Sequence, residues 1–482
     1  MPIISVSAFY LSASADTVDA RWLLILPHLL GGFFSLHALM RNHTPQGTIA
    51  WILGLNLLPY LTIPLYLALG AERIRRSTGE RLPEEAVTRM LHPIREYLRL
   101  PGDGTLEQTL HKACNTLPCE GNDIRILCDG RETYMELADA VRMATRSILL
   151  EFFIIRNDRV GSQLRELLEE RARQGLQVYV IYDEIGSHKL PRGYLKSLRA
   201  AGIHTASFNG RRFWWSSFLR INYRNHRKLV IIDSEHAYLG SLNIGLEYIR
   251  IPGKTYWRDT FVHIRGPIVA QCLLSFAEDW RRATGENISH LSHPQKPAGK
   301  IRCQLVPSGP DDVPLNNWKL LLLEMASKAR RKLWLATPYF VPDATIRDAL
   351  LAAALRGIDV CILVPQQGDS IMADLALLSY LPDMVAHGVR IMAYEPGFLH
   401  EKIALMDDNA CAIGTANLDE RSLRLNFELT LLMHSRDTAL QVEHMLQQDM
   451  QHAHPLTLHH WHHTPVYTQI AAQFCRLLSP VL

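Results

Sequence analysis

The sequence predicts an α/β fold: two duplicated α/β domains packed face to face, preceded by a two-helix transmembrane hairpin. Three observations lead there. Near the N-terminus, two long stretches carry no formal charge. Beyond them, apolar strand-like runs alternate with amphipathic helical ones, and the alternation occurs twice. Near the end of each copy the same polar pattern returns, His-x-Lys followed by Asp, then Gly-Ser/Thr and Asn.

The hairpin comes first. Residues 23–40 and 42–71 are uncharged, and the second stretch contains IAWILGLNLLPYLTIPLYLALG. Its length matches the roughly 20 residues that cross a hydrocarbon core. Pro27, Gly31 and Gly32 in the first segment, and Pro59 and Pro64 in the second, are residues that membrane helices tolerate better than soluble ones. The turn holds Arg41 alone, whereas Arg73, Arg75, Arg76 and Arg81 follow the second helix, so the positive-inside rule puts both ends and the remaining chain in the cytoplasm.

Bulk composition narrows the classes. With 482 residues, 48% hydrophobic and 21% charged, most of the chain can fold around full-sized cores. A net charge of +3 argues against a protein built to bind nucleic acid. The eight cysteines (Cys114, Cys119, Cys128, Cys272, Cys303, Cys361, Cys411, Cys475) form no CxxC and no zinc-like spacing, which suits a reducing compartment.

The repeat sets the domains. Residues 147–155 read as an apolar strand, 164–174 as a charged helix, and Gly175 leads into QVYVIYD. In the second copy, residues 332–343 are the strand, 344–356 the helix, and Gly357 leads into IDVCILVP. Such alternation predicts βαβ units and sheets covered on both faces. The boundaries follow: an N-terminal segment 1–21, hairpin 22–72, amphipathic linker 73–108, first domain 109–288, proline-containing linker 289–300 and second domain 301–482.

The chemistry is carried by a motif present in both copies. One reads HRKLVIIDSEHAYLGSLN, with His226, Lys228, Asp233, Ser241 and Asn243; the other reads HEKIALMDDNACAIGTAN, with His400, Lys402, Asp407, Thr415 and Asn417. Five fixed positions recur by chance about once in three million starts, so two copies at corresponding places are not accidental. In an extended segment residues i and i+2 share a face, so each His projects with its Lys. Facing halves then bring two imidazoles across one pocket. A neutral imidazole attacks phosphorus in line while the opposite imidazolium protonates the departing alkoxide. Lys228 and Lys402, with Asn243, Asn417 and the hydroxyls of Ser241 and Thr415, are the candidate phosphate ligands. The lysines take the electrostatic role of a metal, so neither metal nor cofactor is called for.

This duplicated pattern resembles the phospholipase D superfamily. Over nearly its full length the chain is similar to the bacterial cardiolipin synthase branch, through the hydrophobic pair, NYRNHRKLVIID, YWRDT, TPYFVPD and the closing LLSPVL. The resemblance implies an inner-membrane phosphatidyltransferase that converts two phosphatidylglycerol molecules to cardiolipin and glycerol. It implies His226 as nucleophile and His400 as general acid and then base, and an acidic residue behind each histidine, matched here by Asp259 and Glu428. It also suggests that Asp233 and Asp407, though part of the motif, brace the fold. Oligomeric state is left open.

Other features fit less uniquely. The first half has about a dozen more residues before its motif, including Arg211, Arg212, Phe213, Trp214, Trp215, Phe218 and Arg220, a composition suited to lipid headgroups, to stacked bases or to core cover. His452, His454, His459, His460, His462 and His463 lack the partners of a metal site and read as a solvated or interfacial tail. The C-terminal amphipathic stretch can pack on the domain or lie on a membrane. The rival functions are a hydrolytic phospholipase D, a phosphatidyltransferase with another acceptor, a nuclease, and a scaffold with a dead site. All ten core motif positions are intact, which weighs against the scaffold.

Overall fold

The computed structural model describes residues 16–41, 45–67, 82–208, 223–249, 257–312 and 315–479. The chain forms two compact units, a helical one within residues 1–77 and an α/β one holding 78–210 and 223–482.

The helical unit contains α1 (Asp16–Arg41), α2 (Pro45–Leu57) and α3 (Pro59–Leu65). The single second helix expected from hydropathy is broken at Leu58, which sits at φ −134°. Pro59 is the cause: it has no N–H to donate, and it occupies the first turn of α3, where none is needed. The 13 residues of α2 reach about 20 Å, short of a hydrocarbon core. Among the described residues no helix is long and apolar enough to cross a membrane. α1 and α2 approach backbone to backbone at Gly31, where a Cβ would lie 2.2 Å from the Leu55 carbonyl oxygen. Two polar contacts join the helices, Asn56 donating to Ser35 at 2.7 Å and His37 Nδ1 lying 2.7 Å from the Tyr66 hydroxyl. Leu29, Phe33, Leu36, Met40, Leu53, Leu57 and Leu61 are exposed.

The α/β unit carries the duplication strand for strand. The first half contains β1 (Cys119–Leu127), β2 (Ser147–Phe152), β3 (Gln177–Asp183), β4 (His204–Phe208), β5 (Leu229–Ile232), β6 (His236–Gly240) and β7 (Phe261–Arg265). The second contains β8 (Ile301–Ser308), β9 (Lys332–Ala336), β10 (Asp359–Pro365), β11 (Arg390–Tyr394), β12 (Ile403–Met406), β13 (Ala410–Gly414) and β14 (Glu428–His434), plus β15 (Ala453–Leu456) at the edge. The spatial orders, β1-β7-β6-β5-β2-β3-β4 and β8-β14-β13-β12-β9-β10-β11-β15, are the same up to that extra strand, and β1 pairs with β8 to join them.

Each sheet is mixed rather than wholly parallel. β2, β3 and β4 run parallel through helical crossovers, as do β9, β10 and β11. The motif strands instead add antiparallel, because β5–β6 and β12–β13 are joined by tight turns and not by helices. The turns need left-handed backbone, and Asp233, Ser234 and Asp407 adopt it at φ 55°, 58° and 53°. Asp233 then accepts the backbone N–H groups of Thr145, Arg146 and Ser147 at 2.7–2.9 Å. Asp407 accepts those of Arg330, Arg331 and Lys332 at 2.8–3.2 Å. Each aspartate thereby ties the motif turn to the start of the central strand of its own half.

The inner faces of both sheets share one apolar core. Leu149, Leu229, Leu239 and Val262 meet Leu399, Ile403, Ile413 and Leu429 there, together with the helices Val269–Thr284 and Arg436–Gln451. Separate cores lie under the outer helices of each half. At the C-terminus, the helix Val466–Leu477 packs Ala472 and Cys475 inward and leaves Tyr467, Ile470 and Phe474 exposed. Within the histidine-rich stretch, His454 pairs with Glu395 at 2.9 Å and His459 stacks on His463.

The motif glycines let neighbouring strands within each half close to contact. A Cβ on Gly240 would lie 2.3 Å from the Thr260 carbonyl oxygen, and one on Gly414 would lie 2.5 Å from that of Leu429. No side chain fits, and the neighbouring strand closes to full contact. Gly240→Ala and Gly414→Ala should each lower stability by about 1–3 kcal/mol through this backbone clash. Thermal unfolding of the purified variants measures it, and an unshifted midpoint would show that the strands have room to spare.

Candidate active site

The H-x-K segments lead into β5 and β12 from opposite halves, and each is pinned to the other half by its backbone. The His226 N–H donates to the Phe427 carbonyl at 2.9 Å, and the Phe427 N–H donates to that of Arg224 at 2.8 Å. In the same way the His400 N–H donates to the Arg258 carbonyl at 2.8 Å, beside a short parallel pairing of Phe398–Leu399 with Trp257–Arg258. Both imidazoles reach one cavity of about 400 Å³, lined also by Phe153, Asn243, Tyr248, Trp257, Tyr339 and Asn417.

The carboxylates behind the histidines are exchanged between halves. His226, from the first half, holds Glu428 of the second at 2.9 and 3.0 Å through Nδ1. His400, from the second half, holds Asp259 of the first at 2.7 Å through Nδ1. Burial by itself would raise both acids. The imidazoles and the lysines beside them nevertheless keep Glu428 and Asp259 below the usual carboxylate range. The acids are therefore charged, so each Nδ1–H is the donor and each Nε2 presents a lone pair.

The rest of the motif sorts by depth. Asn243 accepts from the Ile154 N–H and donates to the Tyr248 hydroxyl, both at 3.0 Å. Asn417 donates to Asp419 at 3.0 Å, and its buried Oδ1 has no hydrogen-bond partner among the described residues. Lys228 and Lys402 are buried, each donating to the carbonyl of its own motif histidine at 2.5 Å. Ser241 and Thr415, expected at the phosphate, lie instead behind the acids. The Ser241 hydroxyl accepts the Thr260 N–H at 2.9 Å, and that of Thr415 accepts the Leu429 N–H at 2.9 Å and donates to Glu428 at 2.6 Å. Both are fully buried, which leaves them to hold the strands carrying Asp259 and Glu428. Asp233 and Asp407 sit at the turns described above and do not line the cavity.

Burial dominates the electrostatics of the motif's bases. Burial pushes the His226 imidazole down to about 4, against the pull of Glu428. Burial and then Lys402 push His400 down to about 3. Burial brings the Lys402 ammonium to about 7 and drives Lys228 well below its ordinary value. Four basic groups are thus disfavoured in their charged forms, which a bound anion would reverse.

Several neighbours carried no signal in the motif. The residue inside each H-x-K is a buried ion: Arg227 meets Asp279 and donates to the Glu428 carbonyl at 3.1 Å, while Glu401 pairs with Arg258 at 2.8 Å. Arg258 continues to Asp449 at 2.9 Å. Rings crowd one histidine more than the other. His400 has Trp257 at 4.8 Å, Phe398 at 5.6 Å and Tyr248 at 6.1 Å, whereas His226 has Phe153 at 5.0 Å. YWRDT contains Trp257 and Arg258, but only the fold shows that Trp257 packs on His400. The aromatic and arginine-rich stretch before the first motif, residues 209–222, lies outside the described residues.

Residues 137–280 and 322–450 match the family described as cardiolipin synthase, PLD-like domain. Cardiolipin synthase A of Pseudomonas entomophila is 39% identical over 471 residues, covering 96% of this chain and 98% of that protein. The enzyme of the same name from Pseudomonas syringae pv. syringae is 39% identical over 475 residues, covering 94% and 97%. Among solved structures, phosphatidylserine synthase of Haemophilus influenzae has the same fold at 16% identity, with a TM-score of 0.59 over 74% of this chain and 95% of that one.

The electrostatics can be checked on the unliganded protein. Because burial lowers both imidazoles to about 4 or below, neither should take up a proton between pH 8 and pH 5. Adding inorganic phosphate should raise at least one of them into that range, so that binding is accompanied by proton uptake. Histidine NMR titration reads both effects, and a midpoint near 6.5 at His226 or His400 without ligand would overturn the buried, neutral pair.

Proposed function

The chain belongs to the cardiolipin synthase family with phospholipase D-like domains, and from that premise we propose that it transfers a phosphatidyl group from one phosphatidylglycerol to another, releasing glycerol. The observation that carries the mechanism is the pair of imidazoles, each oriented through Nδ1 by a carboxylate, on one small cavity.

The donor's phosphodiester brings a further negative charge beside the buried bases. Lys228, Lys402, Asn243 and Asn417 take its non-bridging oxygens. Its arrival raises the imidazoles, so one is protonated while the other remains neutral. His226 Nε2 attacks phosphorus, the P–O bond to glycerol breaks, and His400 gives its proton to the departing oxygen. In the second step His400, now neutral, takes the proton of the acceptor's hydroxyl as that oxygen attacks and the P–N bond breaks. Asp259 and Glu428 hold the imidazoles and steady the charge on whichever is protonated. One phosphodiester replaces another, so the step needs no nucleotide. A hydrolase would run the same steps with water, and the apolar walls of Phe153, Trp257, Tyr248 and Val341 favour the lipid alcohol.

We also place the helical unit in the bacterial inner membrane, with the catalytic unit on the cytoplasmic side. The exposed Leu29, Phe33, Leu36, Met40, Leu53, Leu57 and Leu61 give the unit an apolar outer surface of the kind a bilayer covers. The small residue at the α1–α2 contact is of the kind that lets membrane helices approach closely. The arginines at 73, 75, 76 and 81, on which the orientation rests, lie outside the described residues. The full chain should stay with the membrane pellet after alkaline carbonate extraction; release to the supernatant would remove the hairpin from the bilayer.

Purified protein in phosphatidylglycerol vesicles, without nucleotide, should yield cardiolipin and free glycerol on lipid analysis. Phosphatidic acid in their place would make water the acceptor. His226→Ala and His400→Ala should each lower turnover by at least about four orders of magnitude. Glu428→Gln and Asp259→Asn should each cost about three to four, by releasing the histidine of the opposite half. Near-normal activity in any of the four would break the single-centre mechanism.

A further inference from the structure

The reaction needs two anionic lipids in one cavity, and the duplicated motif accounts for only one phosphate. Everything that addresses the reacting phosphorus comes in matched pairs: His226 with His400, Lys228 with Lys402, Asn243 with Asn417. Two further cationic residues line the same cavity and are not matched. Arg224 lies two residues before His226, where the second half has Phe398 before His400. Arg421 lies four residues after Asn417, where the first half has Glu247 after Asn243, and Glu247 is paired with Arg156 at 3.1 Å. A symmetric task is served by the repeated residues, so residues that break the repeat suit what is asymmetric in the reaction, the difference between donor and acceptor.

From this placement we infer that Arg224 and Arg421 form a second phosphodiester subsite, which holds the acceptor lipid's own phosphate while its glycerol hydroxyl reaches the phosphohistidine. The inference rests on the phosphatidyl-transfer reading above. The backbones of the two arginines are fixed to the site, since the Arg224 carbonyl accepts the Phe427 N–H at 2.8 Å and that of Arg421 accepts the Asn426 N–H at 2.9 Å. Their elements come from opposite halves and converge on the wall that carries His226 and Glu428. Burial lowers the Arg224 guanidinium, Asp183 pulls the other way and Arg421 adds to the lowering, so an anion bound beside both arginines offsets part of that cost. Asp183, the carboxylate nearest Arg224 in effect, is already engaged by the backbone N–H groups of Ile185, Gly186 and Asn225 at 2.9–3.0 Å. Two carboxylates share the cavity with them: Asp369 accepts from Tyr339 at 2.6 Å, and Asp419, which Arg421 helps to hold charged, accepts from Asn417 and Ser422.

In the step concerned, the acceptor's hydroxyl oxygen bonds to phosphorus, the P–N bond breaks with its electron pair returning to the imidazole, and the hydroxyl proton passes to the second histidine. Free glycerol can take the same step, regenerating phosphatidylglycerol, but it has no phosphate for the arginines. The two acceptors therefore separate the subsite from the chemistry.

The experiment uses full-length protein in phosphatidylglycerol vesicles with labelled glycerol, following label entering phosphatidylglycerol and cardiolipin formed in the same reaction. Arg224→Gln and Arg421→Gln should each cut cardiolipin formation by about a hundredfold, the scale of lost charge-assisted hydrogen bonds to one anion. Glycerol exchange should fall by no more than about threefold, which also shows that the variant folds. Arg→Lys at either position should recover part of the loss, because the charge returns without the bidentate fork. Equal losses in both reactions would overturn the subsite and assign the arginines to the reacting phosphate, and unchanged cardiolipin formation would overturn it outright. Failure of the unaltered protein to perform either reaction would be a different result, since it would remove phosphatidyl transfer itself.

Discussion

The exchanged imidazole–carboxylate pairs are the constraint on which the rest of this structure depends. His226 leans on Glu428 and His400 on Asp259, and each contact spans the boundary between halves. For both to form, the H-x-K segments must lie against the opposite half's acidic strand, which the reciprocal backbone bonds to Phe427 and Arg258 enforce. Those strands must in turn be held in place. Gly240 and Gly414 let them close to contact, and the hydroxyls of Ser241 and Thr415 then bind the backbone next to each acid. The motif letters thus describe a chain of supports, each member positioning a group that serves the other half.

The same arrangement sets the electrostatics. Burial makes the charged forms of Lys228, Lys402, His226 and His400 costly. An arriving phosphodiester is favoured for the same reason. Binding and activation are therefore coupled, because the anion that fills the pocket also supplies the field that protonates one imidazole.

Much of the fold could be read from the chain because its evidence is local. Strand-helix alternation and a repeated motif gave the two halves, and i, i+2 geometry put each histidine with its lysine. Asp259 and Glu428 were found through resemblance. What the sequence withheld is whatever depends on contacts between halves. In a duplicated chain nothing in the spacing says whether Asp259 serves His226 or His400, since both pairings satisfy the same pattern. Ser241 and Thr415 were expected at the phosphate because a hydroxyl in a motif suggests a ligand, yet the glycine before each brings a strand close enough to claim it. The break at Leu58 was also missed: hydropathy counts apolar residues and does not register that Pro59 has no N–H. Arg224 and Arg421 escaped notice because they lie outside the repeat.

The exchanged pairs also bear on ancestry. A lone half would hold a histidine with no acid behind it and an acid with no histidine before it. A single-domain forebear of this chain would thus have worked as two identical copies about a twofold axis, each completing the other. Fusing the copies kept that mutual completion within one polypeptide and removed the requirement that the two sides be the same. Phe398 opposite Arg224 and Glu247 opposite Arg421 are marks of that freedom. A twofold dimer must offer the same groups to both of its ligands, whereas this chain can give each of two chemically identical lipids a different reception.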